Sequence, residues 1–445
     1  MKSPKEQTLH TRRDFLRTSV LGGALAYTVP LFLEKTFLTL DSMAAATPGQ
    51  YTTGKDGTIL VVLQLAGGND GLNTLVPYGD DAYHRARPTI GLPTNQILKI
   101  SDYAGLHPKL TGLRDLYGEG HLGLVQGVGY PNPNRSHFRS TEIWQTASDA
   151  DKNETQGWIG RYFDSCCQGA DPSVVGVAIG GETPQSFSSP TPKGIAFRNP
   201  EQFRYMSEAA NDPASADMFM RQMNQVDDSG HPSLSENSGG SIGMISGPAN
   251  DDGSTVEFLQ RTALGAQMSS DKILAITRKT KSTVNYPQSQ LGNSLNMVAR
   301  LIAGGLPTRV YYVSQGGFDT HSNQLPSHDR LMNDLSTSTA SFVADLKAQR
   351  NFDRVLLLTF SEFGRRVSEN ASGGTDHGAA APLFVLGGGV KPGLYGTYPS
   401  LTDLHDGDLK FSTDFRSVYA TALEKWLGAP SELVLGRKFP ILSFI

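Results

Sequence analysis

The chain of 445 residues contains only two cysteines, and they are neighbours, Cys166 and Cys167. No disulfide framework can therefore organise the fold, and because adjacent cysteines close only a strained ring, free thiols are expected. Runs of basic residues are missing as well. With 39 Lys and Arg against 43 Asp and Glu, the cations are scattered over a mildly acidic chain. Binding to a nucleic-acid backbone needs a basic footprint, so that class of partner is excluded. The apolar stretch Val20 to Leu33 has 14 residues and is broken by Gly22, Gly23 and Pro30. It falls short of the ~20 residues that span a bilayer, and no stable membrane span is expected. There is no phosphate-cradling glycine loop with lysine, no His-Glu-x-x-His and no dinucleotide fingerprint. Two partial motifs fail on context: Gly239-Gly240-Ser241-Ile242-Gly243 has no strand before it, and the calcium-like start at Asp149 has Glu154 where a glycine is required.

What the chain does have begins with a leader. Arg12-Arg13, the short apolar stretch and Ala44-Ala45-Ala46 read as a twin-arginine export signal over residues 1–46, with the translocase as partner and a periplasmic or extracellular destination. The leader holds six Lys/Arg and four Asp/Glu, so its removal takes the net charge from −4 to −6. The remaining residues, 47–445, read as one α/β domain. Continuous apolar runs, rich in β-branched residues, recur at 58–65, 122–128, 174–179, 309–313, 355–360 and 383–386. Such runs predict strands buried on both faces, with the first at the centre of a mostly parallel sheet. Helical spacing at 108–117, 138–146, 158–167, 256–282, 288–303, 328–349 and 413–427 supplies flanking helices, and the polar stretch 227–253 reads as a mobile surface loop.

The chemistry gathers after these strands. Asp70 follows Gly67-Gly68-Asn69, and Asp319 and His321 follow Gly316-Gly317. Glu362 and Arg365 follow the 355–360 run, and Asp376-His377 lies between glycines before the last strand. Carboxylates and imidazoles brought to one edge of an α/β sheet suit a divalent cation, whether zinc, manganese, magnesium or calcium. The metal-ligand expectation is Asp70, Asp319, His321, Glu362, Asp376 and His377. His328 is an alternative to His321, although its place before Asp329 and a helix suits the surface. Ser136 opens a helix after Asn134-Arg135 and is the candidate nucleophile, with Ser140 and Thr141 as alternatives and helix capping as the competing role. Arg135 and Arg365 are candidates to neutralise an anionic substrate. His84 and His107 are read as structural.

Several segments resemble a bacterial, twin-arginine-exported family known as domain of unknown function 1501. They are Gly67 to Thr74, Leu106-His107-Pro108, Gly129 to Phe138, Gly157 to Arg161, Gly317 to His321, Glu362 to Arg365 and Gly374 to Gly378. That family is distantly similar to the alkaline phosphatase and sulfatase superfamily, which implies an alkaline-phosphatase-like fold and a two-metal site. The resemblance matches Asp70 to the early acid, Ser136 to the nucleophile, Asp319 and His321 to a later ligand pair, and His377 to the final histidine. Glu362 departs from the adjacent Asp and His of the superfamily. The expectation is an exported metal-dependent hydrolase acting on an anionic small-molecule or polymer ester of phosphate or sulfate. The alternative is a noncatalytic envelope binding protein with one structural metal or none.

Overall fold

The computed structural model describes residues 57–167, 175–190, 194–201 and 270–445. The leader, the 227–253 stretch and the first half of the 256–282 helix lie outside them. Contacts divide the chain into two units, and every element below belongs to the one formed by Met43–Arg198 and Ile273–Ile445.

Nine strands form the main sheet: β1 (Ile59–Ala66), β2 (Leu122–Gly129), β3 (Gly176–Ile179), β4 (Ile195–Phe197), β5 (Val310–Gly316), β6 (Val355–Phe360), β7 (Ala381–Gly387), β8 (Gly393–Tyr395) and β9 (Thr413–Asp414). Their order is β8-β2-β7-β6-β1-β5-β3-β4, with β9 on β2. β1 is central, as expected. It pairs in parallel with β5 (Leu60 to Val310) and with β6 (Ile59 to Val355). Only β7 runs antiparallel to its neighbours, β2 and β6.

Alternation sorts β1 between two cores. Leu60 and Val62 join Leu356, Leu358 and Phe360 of β6 in a cluster with Trp144, Trp158 and Tyr419. Ile59, Val61 and Leu63 are equally buried. Both faces are therefore dry, and this explains the unbroken apolar run in the sequence. The helices of this unit include α1 (Thr111–Gly118), α2 (His137–Thr146), α3 (Trp158–Cys166), α4 (Gln290–Ala303), α5 (Gln324–Ala348) and α6 (Phe415–Thr421). α5 starts four residues earlier than the sequence spacing predicts, because Pro326 sits in its first turn, where a missing N–H costs no helical bond. None of the helices among the described residues is long and apolar enough to cross a membrane.

The cysteine expectation is corrected. Cys167 leaves the α3 helix at φ −119° and ψ 31°, and Cys166 and Cys167 are joined as a disulfide.

The topology decides where the loops meet. β1, β2, β5 and β6 all run the same way, so the segments after Ala66, Gly129, Gly316 and Phe360 emerge at one edge of the sheet. Because β7 is antiparallel, the segment before it, which carries His377, emerges at that edge too.

Candidate metal centre

Three imidazoles and one carboxylate meet there. His321 Nε2 is 3.0 Å and His377 Nε2 is 3.2 Å from Asp319 Oδ1. His137 Nε2 is 3.6 Å from Asp319 Oδ2. His321 Nε2 and His377 Nε2 are 2.9 Å apart. Asp319 leaves β5 through Gly317, which adopts φ 104°. The paired glycines after β1 make room for it. Gly67 has φ 121°, and a Cβ there would sit 2.5 Å from the backbone nitrogen of Asp319. Gly67 is thus a close approach of two backbones, a role only glycine can fill, while a Cβ on Gly68 would strike the Phe363 ring.

Each ring is held from behind. His137 Nδ1 lies 2.8 Å from Glu362 Oε1, an oxygen that also accepts the Gly67 N–H at 2.8 Å. His377 Nδ1 lies 2.8 Å from the Arg135 carbonyl. His321 Nδ1 is 3.5 Å from Asp376 Oδ1. These oxygens are acceptors, so each Nδ1 donates toward them and each ring turns its Nε2 toward Asp319. Backing a ligand imidazole with a carboxylate or a backbone carbonyl is the usual support in metal sites.

The residues fit a cation on two counts. His137 Nε2 is buried and has no hydrogen-bond partner, and two Nε2 atoms face each other on the same carboxylate oxygen. Either a shared proton or a cation between them satisfies both atoms. Donors around a tetrahedral ion at about 2.0–2.1 Å stand roughly 3.3 Å apart. The donor separations given above lie on either side of that spacing. One donor atom each from His137, Asp319 and His377 falls within a 4.8 Å circle, the one such trio among the described residues.

Arg365 serves this centre from below. Its side chain is fully buried, and it donates to the carbonyls of Gly67, Gly68, Phe318 and Thr375 and, at 2.6 Å, to Asp319 Oδ1. Burial alone would raise the Asp319 carboxyl, but the Arg365 and His377 hydrogen bonds and the charges of Arg365 and His321 outweigh it and hold it at about 2. The carboxylate therefore stays an acceptor at any ordinary pH.

The structure brings together His321, His377 and Asp319 of the expected ligands, sets Glu362 and Asp376 behind the rings, and takes Asp70 elsewhere. Asp70 is fully buried. Its Oδ2 accepts Arg87 Nη1 at 2.5 Å and the Gln324 amide, while its Oδ1 caps the Gly71–Thr74 helix through the Leu72 N–H. Ser136 precedes α2 as its N-cap, yet its exposed hydroxyl makes no capping bond. Ser140 is buried, with its hydroxyl on the Glu362 carbonyl and 2.8 Å from Tyr130 Oη, so it is removed as a nucleophile. Arg135 turns its guanidinium to Asp408 at 2.6 Å.

The surface position expected of His328 is also corrected. It is 1% exposed, with Nε2 3.2 Å from Asn69 Oδ1 and its ring edge-on to His107. Burial holds His328 at about 4. An unfolded histidine protonates near ~6.5, so between those values the unfolded chain binds a proton that the folded chain refuses. Stability from this group is complete above pH ~6.5, declines as pH falls toward 4 and then levels, a total on the order of 3 kcal/mol. Urea unfolding of the wild type against His328→Gln across that window should show the pH slope shrink in the variant.

His137 carries the weakest sequence signal of the cluster: it is the first residue of a helix after a strand and a polar loop, next to an exposed phenylalanine. Arg87 gave no signal at all.

A family model described as "Protein of unknown function (DUF1501)" matches residues 128–434, a span that includes His137, Asp319, His321 and His377. No curated protein matches. Among solved structures, a protein in the alkaline phosphatase superfamily from Vibrio parahaemolyticus is 10% identical over 94% of this chain and 78% of that one, at a TM-score of 0.37. The PsFucS1 sulfatase from Pseudoalteromonas sp. is 13% identical over 86% and 70%, at 0.36. The phosphonate monoester hydrolase SpPMH from Silicibacter pomeroyi is 10% identical over 86% and 77%, at 0.31. At scores of this size, neither activity nor ligands carry over to this chain.

Proposed function

We propose that this chain, which belongs to the family described as "Protein of unknown function (DUF1501)", is an exported metal-dependent hydrolase acting on a phosphate or sulfate ester. The observation that carries the reading is the pair of Nε2 atoms 2.9 Å apart on one carboxylate, with His137 Nε2 buried and unpartnered beside them. His137, His321, His377 and Asp319 would hold the ion. A divalent cation in such a set supplies Lewis acidity and a water acidic enough to attack near neutral pH.

The protein's own residues do the rest. Glu362, the Arg135 carbonyl and Asp376 fix the proton on each Nδ1 and aim each Nε2. Arg365 keeps Asp319 oriented and unprotonated. Ser136, exposed and one residue before His137, is the proposed nucleophile, with water as its alternative. The role proposed for an arginine beside the transferring group falls to Arg135, whose side chain is 37% exposed although Asp408 holds its Nε and Nη2, because the Arg365 side chain is fully buried. The twin-arginine leader supports export.

A second reading, a noncatalytic envelope protein with one structural ion, draws on that same buried Arg365 and on Arg135, whose guanidinium is turned to Asp408. A panel of phosphate monoesters, phosphate diesters and sulfate esters separates the two. Protein stripped with chelator and reloaded with zinc, manganese, magnesium or calcium should turn over one ester class, and the stripped protein none. Ser136→Ala should abolish that turnover if serine attacks, and spare it if water does. Bound metal with no turnover on any ester would favour the structural-ion reading.

A further inference from the structure

Asp408 lies outside every segment that supplies the centre, yet two of those segments converge on it. It follows a tight hairpin in which Leu404–His405 pairs with Asp408–Leu409. Asp406 and Gly407 form the turn at φ 51° and 84°, the successive left-handed residues of the hairpin turn that Asp-Gly favours. The turn fixes where Asp408 points. Its side chain is 3% exposed, and its Oδ2 accepts Arg135 Nε at 2.8 Å and Nη2 at 2.6 Å. Its Oδ1 is 3.6 Å from Arg366 Nε. Oδ2 thus holds the Arg135 guanidinium through two bonds, while Oδ1 and Arg366 Nε, too far apart to bond, keep no hydrogen-bond partner.

Both arginines reach the centre through their backbones. The Arg135 carbonyl accepts the His377 Nδ1 hydrogen at 2.8 Å. The Arg366 N–H donates to the carbonyl of Asp376, one residue before His377, at 3.0 Å. Asp408 therefore anchors the residue whose carbonyl touches the His377 ring.

We propose that Asp408 is a positioning residue of the metal centre: by clamping Arg135 it fixes the Arg135 carbonyl against His377 Nδ1, and so holds Nε2 toward Asp319 and His321. This role rests on the metal-centre reading. A carboxylate suits the task because charge-assisted bonds from two donors of one guanidinium set an angle as well as a distance. Without it, the partly exposed Arg135 side chain regains its rotamers, and the loop carrying the carbonyl loses its anchor.

The test uses full-length mature protein labelled with ¹⁵N-histidine, in the wild type, Asp408→Asn, Asp408→Glu and Arg135→Gln. Two quantities are read: zinc affinity by competition with a chromophoric chelator, and the His377 tautomer from ring ¹⁵N shifts in zinc-free protein. Asp408→Asn and Arg135→Gln should each weaken zinc binding roughly 10- to 100-fold, the range seen when a group supporting a ligand is lost. Both should also mix the His377 tautomers, and Asp408→Glu should restore part of each. Zinc affinity within about twofold of wild type, with the Nδ1–H tautomer intact, in either Asp408→Asn or Arg135→Gln would overturn the proposal, since loss of a supporting group costs more than that. Arg135→Gln keeps the carbonyl and decides the matter should Asp408→Asn fail to fold. A wild type that binds no zinc would count against the metal centre, while the tautomer of the zinc-free protein would still judge Asp408.

Discussion

His137→Ala should lower divalent-metal affinity by roughly 100-fold or more, exceeding the 10- to 100-fold expected when only a supporting group is removed. The expectation follows from the buried, unpartnered Nε2 beside Asp319 and from the ring's attachment to Glu362 through Nδ1. Glu362→Gln should produce the smaller loss, because it disturbs the aim of the ring and leaves the donor in place. Isothermal titration of both variants with zinc measures the difference. Equal, wild-type affinity in His137→Ala would remove that ring from the centre and leave His321, His377 and Asp319 to account for any binding.

Arg87→Met should destabilise the protein by roughly 3–5 kcal/mol, the cost of leaving a buried charge without its partner. Arg87 and Asp70 are both fully buried, joined at 2.5 Å. Burial would raise the Asp70 carboxyl, and the Arg87 charge and hydrogen bond bring it below its ordinary value. The same guanidinium donates to Asn73 Oδ1 and to the carbonyls of Arg366 and Val367, each at 2.9 Å. It therefore ties the segment after β1 to the segment after Arg365. Urea unfolding at pH 7 gives the number. A loss under about 1 kcal/mol would mean that the pair contributes little beyond its own desolvation.

These two residues show where sequence was informative and where it was not. The sheet was legible because strands buried on both faces need continuous apolar runs, and each of the six runs became a strand within a few residues. The antiparallel direction of β7 was not legible, since periodicity carries no information on strand direction. His321 and His377 stood out because they leave loops among glycines, where a large ring has little to pack against.

Asp70 misled for a related reason. Gly67-Gly68 looked like a turn that frees an acid to face a ligand, whereas the glycines admit the backbone of Asp319 and the aromatic ring of Phe363. Arg365 misled because an arginine at a strand end can hold an anion or a set of carbonyls, and only the fold chooses. His137 needed the return path of the chain after β2, which brings it onto Glu362 from more than two hundred residues away.

The most direct test of the metal centre is elemental analysis of the mature protein, purified from the exported fraction without chelator and with protein concentration measured on the same sample. At least one equivalent of a divalent metal is predicted in the wild type, lost together in Asp319→Ala and His377→Ala. Reproducible absence of metal in the wild type, persisting after incubation with zinc, manganese, magnesium and calcium, would contradict the metal centre and leave a shared proton between His321 and His377.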